Sequence, residues 1–224
     1  RDSRSLLLQY CAARRWNIRS FDVKTAFLRG SRRDNRVLGV EPPNELREKL
    51  QLKENETCEL LKSAYGLVNA PYLWYVELKE CLLSLKFQLS PLDPCLFSLV
   101  DEHGVVHGLI GVHVDDGLCA GDEVFDRALQ QLETRYPFGS KRDTNFTFTG
   151  IQLIQDKQFN IFLSQKDYIF AIEAIPIERQ RRKQESLSVT EGERQNLRGL
   201  IGSLQYAATN TRPDLSRSEE HTSE

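Results

Sequence analysis

The sequence predicts an α+β fold, and two observations support this class. Helical and strand patterns follow one another irregularly along the 224 residues, and several strand patterns are joined by turns short enough for antiparallel hairpins. A doubly wound parallel sheet would instead require a regular alternation of strands and helices. Because 40% of the residues are hydrophobic, the chain can build one sizeable core or two subdomains that share one.

Amphipathic periodicity predicts five helices. The first covers residues 3–15, and the second begins near Pro71, whose ring suits a first helical turn. Asp122 is placed to cap the third helix. The last two helices are each preceded by a hydroxyl residue with an acidic residue three positions later, which predicts capping boxes at the pairs Ser164–Asp167 and Thr190–Glu193.

Strand patterns predict one single strand, a set of paired strands that includes the DDG turn, and a second hairpin further along the chain. Residues 16–23 alternate as in a strand that ends near Asp22. The segments PLDPCLFSLV and VVHGLIGVHV are typical of paired strands, and the DDG that begins at Asp115 is expected to form the tip of the next hairpin. Residues 146–165 predict a second hairpin, whereas residues 28–60 and 177–189 are charged and expected to be irregular.

Composition and charge argue against several classes of protein. The formal net charge is -2, so no global basic field indicates a nucleic-acid partner, although basic residues cluster locally at residues 179–183. The five cysteines are widely spaced and form no CxxC pair, which argues against a disulfide framework and for a reducing, intracellular compartment. The sequence shows no common zinc-ligand spacing and no apolar run of membrane-spanning length.

Both ends of the sequence are unusual. The chain contains no methionine, and it opens within a helical pattern, so we expect it to be a fragment of a longer reading frame. The last eight residues, RSEEHTSE, resemble a translated sequencing adapter. Residues 217–224 are therefore predicted to be a non-native tail and are left out of the fold prediction.

The stretch GVHVDDGLCAGD places two adjacent aspartates, Asp115 and Asp116, at the end of an apolar strand pattern. Taken alone, Asp-Asp-Gly is an ordinary turn sequence between two strands. Asp22, however, ends another predicted strand, and neighbouring strands in one sheet would bring the three carboxylates together. Such carboxylates repel one another unless cations neutralise them, and their oxygens suit Mg²⁺ or Mn²⁺. Two such ions, bound close together, support phosphoryl transfer.

Seven motifs occur in order along the chain, and together they resemble the reverse transcriptase of copia-type retrotransposons. The resemblance extends from about residue 3 to residue 216. It implies a right-hand polymerase, with a palm sheet and partial fingers in residues 1–163 and the start of a thumb or connection in residues 164–216. The motifs are FDVKTAFLRG, LLKSAYGLVNAPYLWY, DPCLF, HVDDGLCAGD, FTGIQL, IFLSQKDYI and LRGLIGSLQYAATNTRPDLS.

The resemblance also implies which residues form the active site. Asp22 and Asp115 would bind two Mg²⁺ or Mn²⁺ ions, Asp116 would be the accompanying third carboxylate, and the Val23 carbonyl would be a further metal ligand. The implied nucleotide-binding residues are Ala26, Phe27, Tyr65 and Gly66. The implied primer-contacting residues are His113, Phe148 and Gly150.

Two of these positions carry specific expectations. Phe27 matches the aromatic residue that lies beneath the incoming sugar and excludes a ribose 2′-hydroxyl. His113 stands where the family usually has tyrosine, so its contact beneath the primer end is expected to differ.

The implied reaction is RNA-directed DNA synthesis on an RNA or DNA template with a primer, from deoxynucleoside triphosphates. The implied partners are the RNase H and integrase regions of the same polyprotein, in a cytoplasmic particle or the nucleus. The chain alone is predicted to be inactive, because the basic fingers segment is missing from it. Two alternatives stay open: an inactive relic of such an element, and a two-metal nuclease or metal-binding domain.

Overall fold

The computed structural model describes residues 2–31, 37–177, 179–183 and 188–219. The described chain divides into two compact units, of which the first is Asp2–Asp143 and the second begins at Thr144. This division falls before the predicted palm–thumb boundary at residues 163/164, and that boundary stays a prediction. No helix in the described part of the chain is both long enough and apolar enough to span a membrane.

Among its described residues, the first unit contains four α-helices, a 3-10 turn (Ala26–Leu28) and a six-stranded antiparallel sheet. The sheet has the order β4-β5-β6-β7-β1-β8, and β2 pairs separately with β3. The helices are α1 (Asp2–Arg14), α2 (Asn44–Lys49), α3 (Ala70–Ser84) and α4 (Glu123–Arg135). The strands are β1 (Arg19–Val23), β2 (Gly39–Val40), β3 (Cys58–Glu59), β4 (Phe87–Leu89), β5 (Leu96–Val100), β6 (Val106–His113), β7 (Asp116–Gly121) and β8 (Phe138–Asp143).

Helices cover both faces of this sheet. On one face, Leu7 of α1 lies against Gly111 of β6. On the other face, α3 and α4 enclose the main core, in which Trp74, Phe97 and Phe125 are fully buried. The predicted apolar face of α3 is confirmed, because its four members within the helix are buried: Trp74, Leu78, Cys81 and Leu82.

The turn between β6 and β7 differs from the predicted one. DDG was expected at the tip, but Asp116 and Gly117 already belong to β7, where they pair with His113 and Val112. The turn therefore consists of Val114 and Asp115. Gly117 is required for packing rather than for the turn, since a Cβ there would lie 2.2 Å from the Phe21 ring.

The other elements of the first unit match the predictions in part. The Asp122 side chain caps α4 as predicted, since it accepts hydrogen bonds from the backbone N–H groups of Val124 and Phe125. Strand β4 was not predicted. Residues 28–60, expected to be irregular, contain β2, α2 and β3, while residues 32–36 lie outside the described residues. All five cysteines are free thiols, as predicted.

The second unit contains a three-stranded antiparallel sheet of order β11-β10-β9, where one hairpin was predicted. Its described elements include β9 (Asn145–Phe148), β10 (Ile151–Gln155), β11 (Ile161–Ser164), α5 (Lys166–Phe170) and α6 (Glu191–Asn210). The predicted capping box of Thr190 and Glu193 is present in full. The predicted box at Ser164 is wrong: Gln165 precedes α5, and the Ser164 hydroxyl accepts a bond from the Lys166 N–H at 3.2 Å.

Two predicted segments lie partly outside the described residues. Within the charged stretch 177–189, a 3-10 turn covers Arg181–Lys183, whereas residues 178 and 184–187 are not described. The predicted tail 217–224 begins within the 3-10 helix Pro213–Glu219, and residues 220–224 are not described.

Candidate active site

Strand register places four polar residues in one row across the first sheet. His113 on β6 is opposite Asp116 on β7, Asp116 is opposite Asp22 on β1, and Asp22 is opposite Ser140 on β8. Directly opposite residues of antiparallel strands direct their side chains to the same face of the sheet. We call these four residues the carboxylate row. The row lies on the same face of the sheet as Gly111 and Leu118, which are two residues from His113 and Asp116 along β6 and β7. Helix α1 covers this face at Gly111 through Leu7.

Asp115 lies beside this row, in the turn between β6 and β7. The Val23 N–H donates a hydrogen bond to the Asp115 carbonyl at 3.0 Å, which joins the turn to the end of β1. Val114, the other turn residue, has φ of 59°, a conformation that is unfavourable for a β-branched side chain. The structure thus brings together Asp22, Asp115 and Asp116, as the sequence predicts, at one end of the sheet.

The three carboxylates affect one another electrostatically. Burial raises the pKa of Asp22, and the negative charge of Asp115 raises it further. Burial likewise raises the pKa of Asp116, and both Asp115 and Asp22 add to the shift. Like charges held near one another disfavour ionisation, and burial adds to this effect at both aspartates.

Arg142 is a member of this site that the sequence analysis did not identify. It lies on β8 opposite Ser20, two residues before Asp22 on β1, and therefore on the same face as the carboxylate row. Its positive charge lowers the pKa of both Asp22 and Asp116, against the larger effect of burial. Only the register of β1 and β8 reveals this proximity, and no motif in the sequence indicates it.

The chemistry of the donor set fits a divalent cation. Ionised aspartates supply the hard oxygen ligands that Mg²⁺ and Mn²⁺ prefer. The side chains do not form a closed ligand set, since among the described residues no group of three or more His, Cys, Asp or Glu is arranged to hold a metal ion. The Asp22 carboxylate lies instead against Gly139, where its Oδ2 is 2.7 Å from the position that a Cβ would take.

The predicted nucleotide-binding residues occupy different environments. Ala26 is buried, and the half-buried Phe27 packs against the core. The rings of Phe27 and Tyr65 meet edge to face with centroids 5.3 Å apart, so the structure brings these two predicted residues together. Gly66 has φ of 92°, which favours glycine. The buried Ser63 hydroxyl donates a hydrogen bond to the Phe27 carbonyl and holds this segment in place.

The other predicted primer-contacting residues, Phe148 and Gly150, belong to the second unit. Thr149 and Gly150 both have positive φ, of 48° and 74°, as in a type I′ hairpin between β9 and β10. The Tyr206 hydroxyl donates to the Thr149 carbonyl. Phe148 is buried in its own unit. The contacts of Phe148 and Gly150 with a primer stay a prediction.

Comparison with known proteins gives the family of this chain. The chain belongs to the reverse transcriptase (RNA-dependent DNA polymerase) family, whose profile matches residues 1–175. This result confirms the resemblance that the seven motifs indicate.

Three relatives are proteins of plant transposons. The Retrovirus-related Pol polyproteins from transposons RE1 and RE2 of Arabidopsis thaliana are 34% and 33% identical to this chain over 94% of its length. The Pol polyprotein from transposon TNT 1-94 of Nicotiana tabacum is 26% identical over 93% of the chain. The chain spans 15% of the RE1 and RE2 polyproteins and 17% of the TNT 1-94 polyprotein.

Proposed function

We propose that the chain is the catalytic part of an RNA-directed DNA polymerase encoded by a copia-type retrotransposon. The observation that carries the proposal is the register that sets Asp22 opposite Asp116, with Asp115 in the adjoining turn. The membership of the reverse transcriptase family supports the same reaction. In this proposal the six-stranded sheet is the palm, residues 1–163 include part of the fingers, and residues 164–216 begin the thumb or connection.

In the proposed reaction, a primer 3′-hydroxyl oxygen attacks the α-phosphorus of a deoxynucleoside triphosphate. The new O–P bond forms as the bond between the α-phosphorus and the bridging oxygen breaks, pyrophosphate leaves, and the hydroxyl proton passes to solvent. Asp22, Asp115 and Asp116, with the Val23 carbonyl, would hold two Mg²⁺ or Mn²⁺ ions, which supply Lewis acidity to the attacking and leaving oxygens. The protein contributes rigid strand ends that position these ligands.

The remaining residues of the proposed site select and position the substrates. Phe27 would lie beneath the sugar, where its ring excludes a 2′-hydroxyl, and its edge-to-face contact with Tyr65 fixes the ring plane. Gly66 would allow close approach of the backbone to the nucleotide, and the buried Ala26 is the remaining residue proposed to bind it. His113, in the carboxylate row, is proposed to contact the primer end. Phe148 and Gly150 of the second unit are proposed primer contacts as well.

The proposed partners follow from the reaction and the relatives. They are a primed RNA or DNA template, deoxynucleoside triphosphates, and the RNase H and integrase regions of a longer polyprotein.

The basic segment 179–183 is a candidate for contact with duplex phosphates, but part of its positive charge is already paired within the chain. Arg181 in this segment already forms two hydrogen bonds with the Glu193 carboxylate, through Nε and Nη2. We place the reaction in a cytoplasmic particle or the nucleus.

Primer extension by the longer reading frame that carries this chain tests the proposal. Asp22→Asn or Asp115→Asn should reduce extension by at least about 10³-fold, because each removes a charge that holds the metal ions. Asp143→Asn, at the exposed end of β8, is the matched control and should extend as wild type. Extension at the wild-type rate by Asp22→Asn would refute the assignment, and nucleotide-independent cleavage lost in the same variants would favour the nuclease alternative.

The sugar contact has its own test. Phe27→Val should raise the ratio of ribonucleotide to deoxynucleotide incorporation by about 10²-fold, since the ring that excludes the 2′-hydroxyl is gone. The exposed Leu28, next in the chain, provides the control Leu28→Val. An unchanged ratio in Phe27→Val would make Phe27 a core residue only.

A further inference from the structure

The turn that carries Asp115 has an unfavourable backbone conformation. Val114 has φ of 59°, and a β-branched residue at positive φ costs free energy relative to glycine or asparagine. Such a conformation persists only when neighbouring groups hold it. Val114 itself is 47% exposed, so burial of its side chain accounts for little of that stabilisation.

Trp74 supplies a specific contact to this residue. Its indole Nε1–H donates a hydrogen bond of 2.8 Å to the Val114 carbonyl, across 40 positions of the sequence. The Trp74 side chain is fully buried in α3, and its ring meets the Tyr136 ring edge to face, with centroids 5.1 Å apart. The Tyr136 hydroxyl in turn donates to the Glu77 carboxylate at 3.0 Å. The indole N–H is therefore held in a fixed direction.

The turn is thus fixed from two sides. The Val23 N–H on β1 bonds to the Asp115 carbonyl at 3.0 Å, and Trp74 on α3 bonds to the preceding carbonyl. Two consecutive carbonyls with separate partners hold the two peptides that flank the Asp115 Cα in one orientation. That orientation determines where the Asp115 side chain starts relative to Asp22.

We propose that Trp74 is a positioning residue, whose indole N–H holds Val114 in its left-handed conformation and so sets the place of the Asp115 carboxylate. A core position requires a large apolar side chain, and phenylalanine would also meet that requirement. Phenylalanine, however, has no N–H to donate to the Val114 carbonyl. In its consequence for metal binding, the inference rests on the proposed function. The positioning of the turn itself does not depend on that function.

The test uses this chain and two substitutions that act on the same peptide. Trp74→Phe removes the N–H and keeps an aromatic ring in the core. Val114→Gly removes the cost of positive φ, so the turn no longer needs the indole bond. Tyr75→Phe is the matched control, because Tyr75 is the next residue of α3 and its hydroxyl donates to a different carbonyl, that of Pro94 at 2.7 Å.

The first measurement is hydrogen exchange at the Val23 amide, which reports the turn without any metal. We expect at least about tenfold faster exchange in Trp74→Phe, and recovery of most of this loss in Trp74→Phe with Val114→Gly. Tyr75→Phe should leave the Val23 amide unchanged. Unchanged exchange in Trp74→Phe, or no recovery in the double variant, would overturn the proposal, because loss of core bulk alone is not corrected by glycine at position 114.

The second measurement is the affinity of the chain for Mn²⁺. Changes in groups that orient metal ligands cost about 10–100-fold in affinity, so we expect about a tenfold loss in Trp74→Phe that Val114→Gly recovers. If the wild-type chain binds no Mn²⁺ while the exchange results are as expected, the proposed metal site fails and the positioning of the turn stands. Wild-type affinity in Trp74→Phe would remove the consequence for metal binding.

Discussion

The two ends of the β6–β7 hairpin differ in the electrostatic interactions of their charged side chains. At the turn, Asp22, Asp115 and Asp116 are brought together, and burial and mutual repulsion raise the pKa of Asp22 and Asp116. At the opposite end, His107 lies between two carboxylates, with Nδ1 2.8 Å from Asp122 and Nε2 3.4 Å from Asp101. We call this trio the histidine cluster.

The pKa shifts of the histidine cluster favour the charged forms of its members, whereas those of Asp22 and Asp116 favour the neutral forms. The hydrogen bond with Asp122 raises the pKa of His107. Backbone N–H bonds, chiefly from Val105, lower the pKa of Asp101. For Asp122, burial raises the pKa, but bonds from His107 and from the first turn of α4 lower it overall. This end of the hairpin compensates its own charges, whereas at the turn burial and the repulsion among carboxylates outweigh the positive charge of Arg142.

The difference separates a structural cluster from a candidate binding site. A compensated cluster stabilises the fold, and an uncompensated one stores free energy that a ligand releases when it binds. The packing is similar at both ends, because at each end an aromatic ring packs directly against glycine. Phe21 covers Gly117 at the turn, and Phe125 covers Gly108 and Gly121 at the opposite end.

Alanine at these glycines should have the largest effects on stability. In Gly121→Ala the new Cβ would lie 2.3 Å from the Phe125 ring and 2.6 Å from the His107 carbonyl oxygen, so we expect a loss of about 3 kcal/mol in the free energy of unfolding. Gly117→Ala should lose somewhat less, because the three atoms nearest its new Cβ all belong to the Phe21 ring and none is a backbone atom. Denaturant unfolding measures both. Gly111→Ala, with 3.6 Å to Leu7, is the control and should change stability by less than about 1 kcal/mol.

Removing a carboxylate should have opposite effects at the two ends. Asp116→Asn should stabilise the metal-free chain at pH 7 by about 1 kcal/mol, as removal of a functional like charge commonly does. Because the pKa of Asp116 is raised in the folded state, its negative charge destabilises the fold at pH values above the ordinary carboxyl pKa and not in acid. The stabilisation by Asp116→Asn should therefore disappear in acid. Asp122→Ala should instead destabilise the chain by about 1 kcal/mol, because it removes the α4 cap. Destabilisation by Asp116→Asn at pH 7 would contradict this contrast.

At the histidine cluster stability should also fall with rising pH, but in a higher pH range than at Asp116. Because the pKa of His107 is raised, its contribution to stability is fully present below about pH 6.5 and is lost as the pH rises through the folded-state pKa. The melting temperature of the wild-type chain should therefore fall as the pH rises through the folded-state pKa of His107. In His107→Gln this fall should be absent, and thermal unfolding measures the difference. The exposed His103 offers the control variant His103→Gln. An identical alkaline slope in wild type and His107→Gln would show that the cluster does not act in this way.

Arg142 should have the smallest effect. Arg142→Gln removes a positive charge near the carboxylate row, so the pKa of Asp22 and Asp116 should rise further. Side-chain carboxyl NMR titration measures the change. Lys141→Gln removes the neighbouring charge, which pairs with Glu133 at 2.8 Å, and should leave both values as they are. Equal shifts in the two variants would mean that only net charge matters.

The sequence predicted local features better than contacts between distant elements. The Asp122 cap and the Thr190–Glu193 capping box were recognisable because each depends on residues within a few positions of one another. Asp22, Asp115 and Asp116 were grouped because each stands at the end of a strand pattern, and the structure brings them to one end of the sheet. The DG turn was misplaced because Gly117 is required by the Phe21 ring, a contact between distant strands that local turn preferences do not contain. Arg142 and the Trp74 hydrogen bond were missed for the same reason, since both depend on strand register and helix packing.

If Asp22, Asp115 and Asp116 form one divalent-cation site, as we propose, the purified chain binds Mn²⁺ through these three carboxylates. Electron paramagnetic resonance of free Mn²⁺ should show saturable binding by the wild-type chain. The affinity should fall by at least about tenfold in both Asp22→Asn and Asp115→Asn and remain unchanged in Asp143→Asn. Binding of equal affinity in the wild type and in Asp22→Asn would contradict the account.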